Sequence, residues 1–290
     1  MTFFIAEICS NHFNNKQRSK KLIDEAKRIG CDAVKFQLFK SNKLFAPEIL
    51  KKSKSHKNIK SLELSKKLIP ILSRYAKKKG LLFGCSPFDL DAVDDLKEHV
   101  DFYKIGSYEL LRQDIFLRCI ENKKDIIFST GMSTELEIKK VLNIFKKKKF
   151  YKFSILRCVS NYPTKLDNVN LQSIKTLNTL LKKYFPNKKI KTGWSDHTKN
   201  ESVILKSIYK YDADIIEFHL DLDGKGPEYQ GGHCWLPVEI ESVIKLSKYN
   251  KKIDGSGKIH YQSSETGERK WRSDPKDGLR PMISERKKYK

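Results

Sequence analysis

The sequence predicts a closed (β/α)8 barrel followed by a short extended C-terminal tail. Three observations predict it. Short apolar runs alternate strictly with amphipathic stretches through residues 1–250. There are eight of each, and strands that alternate with helices imply a parallel sheet. Eight such units in about 250 residues is the size of a closed barrel. A doubly wound open sheet is the competing architecture, but it usually announces itself with a glycine-rich first turn, and none is present.

In order, the predicted strands are the apolar runs Phe3–Ile8, Ala33–Phe39, Leu81–Cys85, Phe102–Ile105, Ile126–Ser129, Phe153–Cys158, Ile190–Trp194 and Asp214–His219. The predicted helices between them begin with Lys16–Ile29, where Leu22, Ile23, Ala26 and Ile29 recur on one face. The others are Leu62–Lys79, Asp89–Glu98, Gln113–Asn122, Thr134–Phe145, Leu171–Tyr184, Glu201–Tyr211 and Pro237–Tyr249. Ser133-Thr134 with acids behind it reads as a helix start. Residues 251–290 are polar, rich in Ser, Lys, Arg and Gly, with an aromatic island at Trp271. They are too few for a second domain and read as a tail.

Composition excludes several classes. Of 290 residues 39% are hydrophobic and 32% charged, which rules out a disordered chain, a collagen or a coiled coil. No run approaches the roughly 18 apolar residues of a membrane span, and MTFFIAEIC has no basic leader, so a cytoplasmic protein is expected, with no membrane partner. Lys+Arg is 59 against Asp+Glu 35, a net charge of +24. Only ten of the basic residues are Arg, and the lysines fall in short clusters such as Lys146 to Lys149. That is the pattern of solvated helix faces, so no nucleic-acid partner is expected. The charge should still draw phosphorylated small molecules. The six cysteines form no CxxC and read as buried, reduced thiols.

In a barrel of this type the active site is built at the carboxyl ends of the strands. Read in turn, those ends carry chemistry. Strand one ends near Glu7, Ser10, Asn11 and His12; strand two carries Lys35 and Gln37, two apart and so on one side. Ser86 ends strand three. Strand four carries Lys104, then Ser107 and Glu109. Strand five ends at Ser129, Thr130 and Gly131, and strand six runs into Ser160, Asn161 and Tyr162. Strand seven ends Ser195-Asp196-His197, and strand eight carries Glu217 and His219. Two lysines with several hydroxyls make a phosphate or carboxylate site. His197 and His219, from neighbouring strands, could share a divalent metal. Glu7 and Glu109 are candidates for proton transfer.

These residues sit in the strings AEICSNH (6–12), AVKFQ (33–37), SPFD (86–89), YKIGSYE (103–109), STGM (129–132), NYPT (161–164) and SDHT (195–198). Their order and spacing resemble the sialic acid (N-acetylneuraminate) synthase family, which includes pseudaminate and legionaminate synthases. The resemblance runs over the whole barrel. It implies condensation of phosphoenolpyruvate with a 2-acetamido sugar in its open-chain aldehyde form, such as N-acetylmannosamine. The product is a nine-carbon 2-keto acid, phosphate leaves by C–O cleavage, and a divalent metal, Mn or Mg, is required. The resemblance places phosphoenolpyruvate on Lys35, Ser86, Lys104, Ser107, Ser129, Ser160 and Ser195, with Ser86 where the family often has Thr. It places the metal on His197 and His219, and the sugar on Gln37, Glu109 and Tyr162. Glu7 matches an acid thought to assist the chemistry. C3 of phosphoenolpyruvate would attack the aldehyde carbon, and water, activated by Glu7 or at the metal, would add at C2.

Two departures concern the acceptor. The segment HLDLDGKGPEYQGGHCWLP (219–237) stands where the family usually has Pro-Gly-Pro-Asp, whose Asp meets the sugar. Glu228 is the nearest match, and His233, Cys234 and Trp235 are unusual; loop packing is the plainer role for His233, a metal or sugar contact the sharper one. Typical members also carry a C-terminal antifreeze-like domain that supplies an Arg to the partner's sugar site. Residues 251–290 do not resemble it, and Arg280 or Arg272 could stand in. Family members dimerise, partly through that domain, so a homodimer is a weaker expectation. Two other readings stay open: condensation of phosphoenolpyruvate with a different aldose, and a non-catalytic sugar-binding barrel.

Overall fold

Eight parallel strands close in sequence order: β1 (Phe3–Glu7), β2 (Ala33–Leu38), β3 (Leu82–Pro87), β4 (Phe102–Ile105), β5 (Asp125–Ser129), β6 (Phe153–Cys158), β7 (Lys191–Asp196) and β8 (Ile215–His219). β1 pairs with β8, so the sheet has no edge. The structure, a computed structural model, describes residues 2–53, 56, 58–249, 253–254 and 256–289. Residues 1–249 and 250–290 form two units, each described by itself.

The two-residue period of a strand sorts each sequence between two cores. Outward residues, among them Phe4, Val34, Phe36, Phe83, Tyr103, Phe128, Trp194 and Phe218, pack against the helices in one large apolar cluster. Inward residues Ile5, Ala33, Phe102, Ile127, Leu156 and Ile215 make a small second cluster inside the barrel. Gly84 is what admits Phe102: a Cβ there would lie 2.2 Å from the ring. Two residues further along seven of the strands the inward positions turn polar: Glu7, Lys35, Ser86, Lys104, Ser129, Ser195 and Glu217, with Cys158 at that level in β6. The apolar plug below thus forms the floor of a polar mouth above.

The helices begin where side chains satisfy free N–H groups. Asn15 accepts from the Arg18 N–H ahead of Lys16–Arg28, and Thr134 and Glu137 form a reciprocal capping box ahead of Glu135–Lys147. The predicted helix Leu62–Lys79 is shorter in the structure. It resolves into 3-10 turns at Ile59–Leu62 and Lys66–Leu68, then a helix Ile69–Lys78. Pro70 explains the late start, because proline lacks an N–H and is accepted only in a first turn. The connection after β2 also holds two short helices, Ser41–Leu44 and Pro47–Lys52, that the sequence pattern did not suggest.

The connection after β8 leaves the barrel and returns to it. Trp235 N–H donates to the His219 carbonyl (2.8 Å) and Asp221 N–H to the Trp235 carbonyl (2.9 Å). Arg18 ties this segment to the β1 end, donating to the Asn11 carbonyl at 2.6 Å, Asp221 at 2.8 Å and Asp223 at 2.7 Å.

In the second unit the tail read as extended instead contains helical turns at Ser263–Glu265, Thr266–Lys270 and Ile283–Arg286. Asp274 explains part of this, accepting from the N–H groups of Lys276 (3.0 Å) and Ile283 (2.8 Å), while Arg286 grips Asp277. Among the described residues, no helix is long and apolar enough to cross a membrane.

Candidate active site

A cavity of about 350 Å3 opens over the carboxyl ends of the strands. Its floor is a buried charge network. Lys35 Nζ pairs with Glu7 Oε2 and donates to Ser86 Oγ at 3.1 Å. Lys104 Nζ donates to Ser129 Oγ at 2.7 Å. Glu217 stands between the two ammonium groups, 3.5 Å from Lys104 and 3.9 Å from Lys35, and accepts from Ser195 Oγ at 2.9 Å. Each lysine is at most 4% exposed, so without these carboxylates two unpaired charges would be buried at heavy cost. Burial pulls the Lys35 ammonium down to about 8, against the pull of Glu217. Burial also opposes ionisation of Glu217, but Lys104 and Lys35 outweigh it and hold its carboxyl below the usual range.

The walls carry the remaining strand-end groups. Ser107 Oγ accepts from the Gly131 N–H (2.9 Å) and meets Cys158 Sγ at 3.0 Å. Gly131 must be glycine, since a Cβ would lie 2.3 Å from Ser160 Oγ and 2.8 Å from Ser107 Oγ. Glu109 sits on the 3-10 turn Ser107–Glu109 after β4. Burial pushes its carboxyl up to about 7, with Lys104 opposing. Gln37 and Tyr162 face the same space.

Three imidazoles line the far side. His197 and His219 have ring centroids 5.2 Å apart. His197 Nδ1 lies 2.7 Å from the Val159 carbonyl, which can only accept, so Nδ1 carries the proton and Nε2 keeps its lone pair. His219 Nδ1 lies 2.9 Å from Glu228 Oε2, with the same consequence. Burial lowers both rings' basicity, His197 to about 3, and keeps them neutral. Glu228 also accepts from the Cys9 thiol. Neutral imidazoles, each oriented by an acceptor on its other nitrogen, are the donor set of a transition-metal site. Donor atoms of His219, Glu228, His233 and Cys234 lie within 4.8 Å of one another. The residues therefore fit a divalent cation.

Most of the residues singled out in the sequence converge here: Lys35, Gln37, Ser86, Lys104, Ser107, Glu109, Ser129, Tyr162, Ser195, His197, His219 and Glu228 all line the cavity. Glu7 stands one layer back, under Lys35, where its Oε1 accepts from the Cys9 N–H at 2.5 Å. Ser160 Oγ is buried behind Gly131 with no hydrogen-bond partner among the described residues. Arg280 belongs to the second unit, where its Nε is 3.4 Å from Ser273 Oγ. Sequence reasoning gave no role to Glu217, although its spacing from His219 marked it as inward. It also missed Cys9 and Cys158, whose apolar surroundings in sequence suggested only core.

Comparison with known proteins agrees with this geometry. The NeuB family matches residues 22–259. The N,N'-diacetyllegionaminic acid synthase of Campylobacter jejuni is 31% identical over 271 residues, covering 88% of this chain and 78% of that one. Human N-acetylneuraminate-9-phosphate synthase is 29% identical over 266 residues, covering 88% and 71%. The crystal structure of N-acetylneuraminic acid (sialic acid) synthetase from Leptospira borgpetersenii in complex with citrate superposes with a TM-score of 0.79 at 30% identity, covering 92% of this chain and 90% of that one. With a barrel mouth of this make-up and matches that span nearly all of the barrel, the chain belongs to the NeuB family of synthases.

Proposed function

We propose that this enzyme condenses phosphoenolpyruvate with a 2-acetamido sugar, N-acetylmannosamine or a related hexose, to a nine-carbon 2-keto acid, releasing phosphate. The observation that carries the reading is the floor of the cavity. Two buried ammonium groups, each bonded to a serine hydroxyl, face one space beside two neutral, oriented imidazoles.

Phosphoenolpyruvate is a trianion at its fullest ionisation, and Lys35 and Lys104 supply point charges for it. Ser86, Ser107 and Ser129 supply hydroxyl donors from the cavity wall, Ser195 does so once its bond to Glu217 is exchanged, and Ser160 Oγ, behind Gly131, has no other partner to give up among the described residues. Glu7 pairs with Lys35, and Glu217 lies between the two lysines, so both are held in place before substrate arrives. The sugar lies toward Gln37, Glu109 and Tyr162, with Glu228 lining the same cavity.

The C3–C1 bond forms as the enol π electrons attack the aldehyde carbon. Positive charge grows at C2, water adds there, and the tetrahedral adduct collapses to the keto acid as the C–O bond to phosphate breaks. Glu109, protonated over part of the neutral range, is the acid that delivers a proton to the oxygen formed at the former aldehyde. Glu7, one layer beneath the cavity, assists the addition of water through its pairing with Lys35. The lysines stabilise the phosphate as it leaves. His197 and His219 would hold a divalent cation, which would supply Lewis-acid polarisation of the aldehyde oxygen.

The test supplies phosphoenolpyruvate, Mn and a panel of 2-acetamido hexoses and measures phosphate. Release that depends on one of those sugars is expected. Release only with a different aldose would move the assignment to another acceptor, and none with any aldose would refute it.

A further inference from the structure

We propose that His233 is a third imidazole ligand of the cation held by His197 and His219, an inference that rests on the metal-dependent reading above. His233 is 5% exposed and lines the same cavity. Its Nε2 lies 3.7 Å from Glu228 Oε2, while its Nδ1 is buried with no hydrogen-bond partner among the described residues. A buried polar atom left bare is costly, and a buried imidazole nitrogen without a partner beside two other imidazoles invites a cation. Gly231 leaves room beside that nitrogen, since a Cβ there would lie 3.0 Å from it.

The ring positions suit one shared ion. His219 and His233 are 4.7 Å apart, His197 and His219 5.2 Å, and His197 and His233 6.2 Å, centroid to centroid. Those three distances put the centroids on a circle of radius about 3.2 Å. At the level of donor atoms, those of His219 and His233 lie within 4.8 Å of each other. His233 is also held rigidly. The next residue but one, Trp235, bridges to the end of β8 and donates its indole N–H to Asp196 Oδ2 at 3.3 Å. Glu228 stands between His219 and His233 and supplies negative charge to the pair. Cys234 Sγ belongs to the same group of donors but is turned toward Asn11 Nδ2, at 3.6 Å. Three nitrogen donors shift preference away from Mg and toward transition cations.

The test uses the full chain stripped of metal and titrated with Co(II) alone. X-ray absorption of the Co(II) protein should count three imidazoles. His233→Ala and His233→Gln should each weaken Co(II) binding at least tenfold, with folding checked by circular dichroism. Two imidazoles in the wild type, or unchanged affinity in a folded His233 variant, would overturn the proposal. If His197→Ala and His219→Ala then still abolish binding, the proposed function stands without it. A wild-type chain that binds no Co(II) would sink both.

Discussion

Glu109 shows what one buried carboxyl does to the pH behaviour of the whole protein. Its folded form holds its proton up to about 7, above the 4.5 of an unperturbed glutamate. Between those values the folded state binds more protons than the unfolded one, so stability falls as pH rises through that window. Glu109→Gln removes the penalty. It should raise the melting temperature clearly at pH 8 and little at pH 5; equal gains at both would show that burial does not govern this carboxyl. The same variant should lower kcat by roughly 10²- to 10⁴-fold, the usual share of a positioned acid, and remove a decline in kcat/KM centred near pH 7. The strand-end residues were legible in the sequence, because an inward Lys, Ser or His two positions past an apolar one is a periodicity that can be read. Glu217 was visible but mute, since its role depends on the gap between two lysines on other strands. His233 was harder still, because only the return of its loop to β8 brings it to the other imidazoles.

At the scale of elements, the β7 and β8 ends are fastened by Asp196. Its Oδ1 accepts from Trp194 Nε1 at 3.0 Å and Thr198 Oγ1 at 2.7 Å, and its Oδ2 from the Lys199 N–H at 3.2 Å and Trp235 Nε1 at 3.3 Å. Both indoles are buried. Asp196→Ala strands two buried N–H groups at ~1–3 kcal/mol each, so a loss of about 3 kcal/mol or more is expected in urea unfolding. A loss below ~0.5 kcal/mol would show the clamp to be dispensable. Strands were read well because each is a short apolar run bounded by polar residues. Helix starts were read less well where a proline reset them, as at Pro70, and the helices after β2 carry too little periodicity to declare themselves.

For the whole molecule, closure of the sheet in sequence order is what gathers residues from all eight strands over one mouth. The alternation of strands and helices made that architecture legible. The tail was not, because its turns depend on the Asp274 and Arg286 contacts rather than on any period.

In the proposed reaction the barrel mouth breaks the C–O bond of phosphoenolpyruvate while joining its C3 to an aldehyde. Phosphoenolpyruvate labelled with 18O at the bridging oxygen tests this most directly. The label should appear in the released phosphate, and only when a 2-acetamido aldose is present; unlabelled phosphate, which marks P–O cleavage, would rule this reaction out.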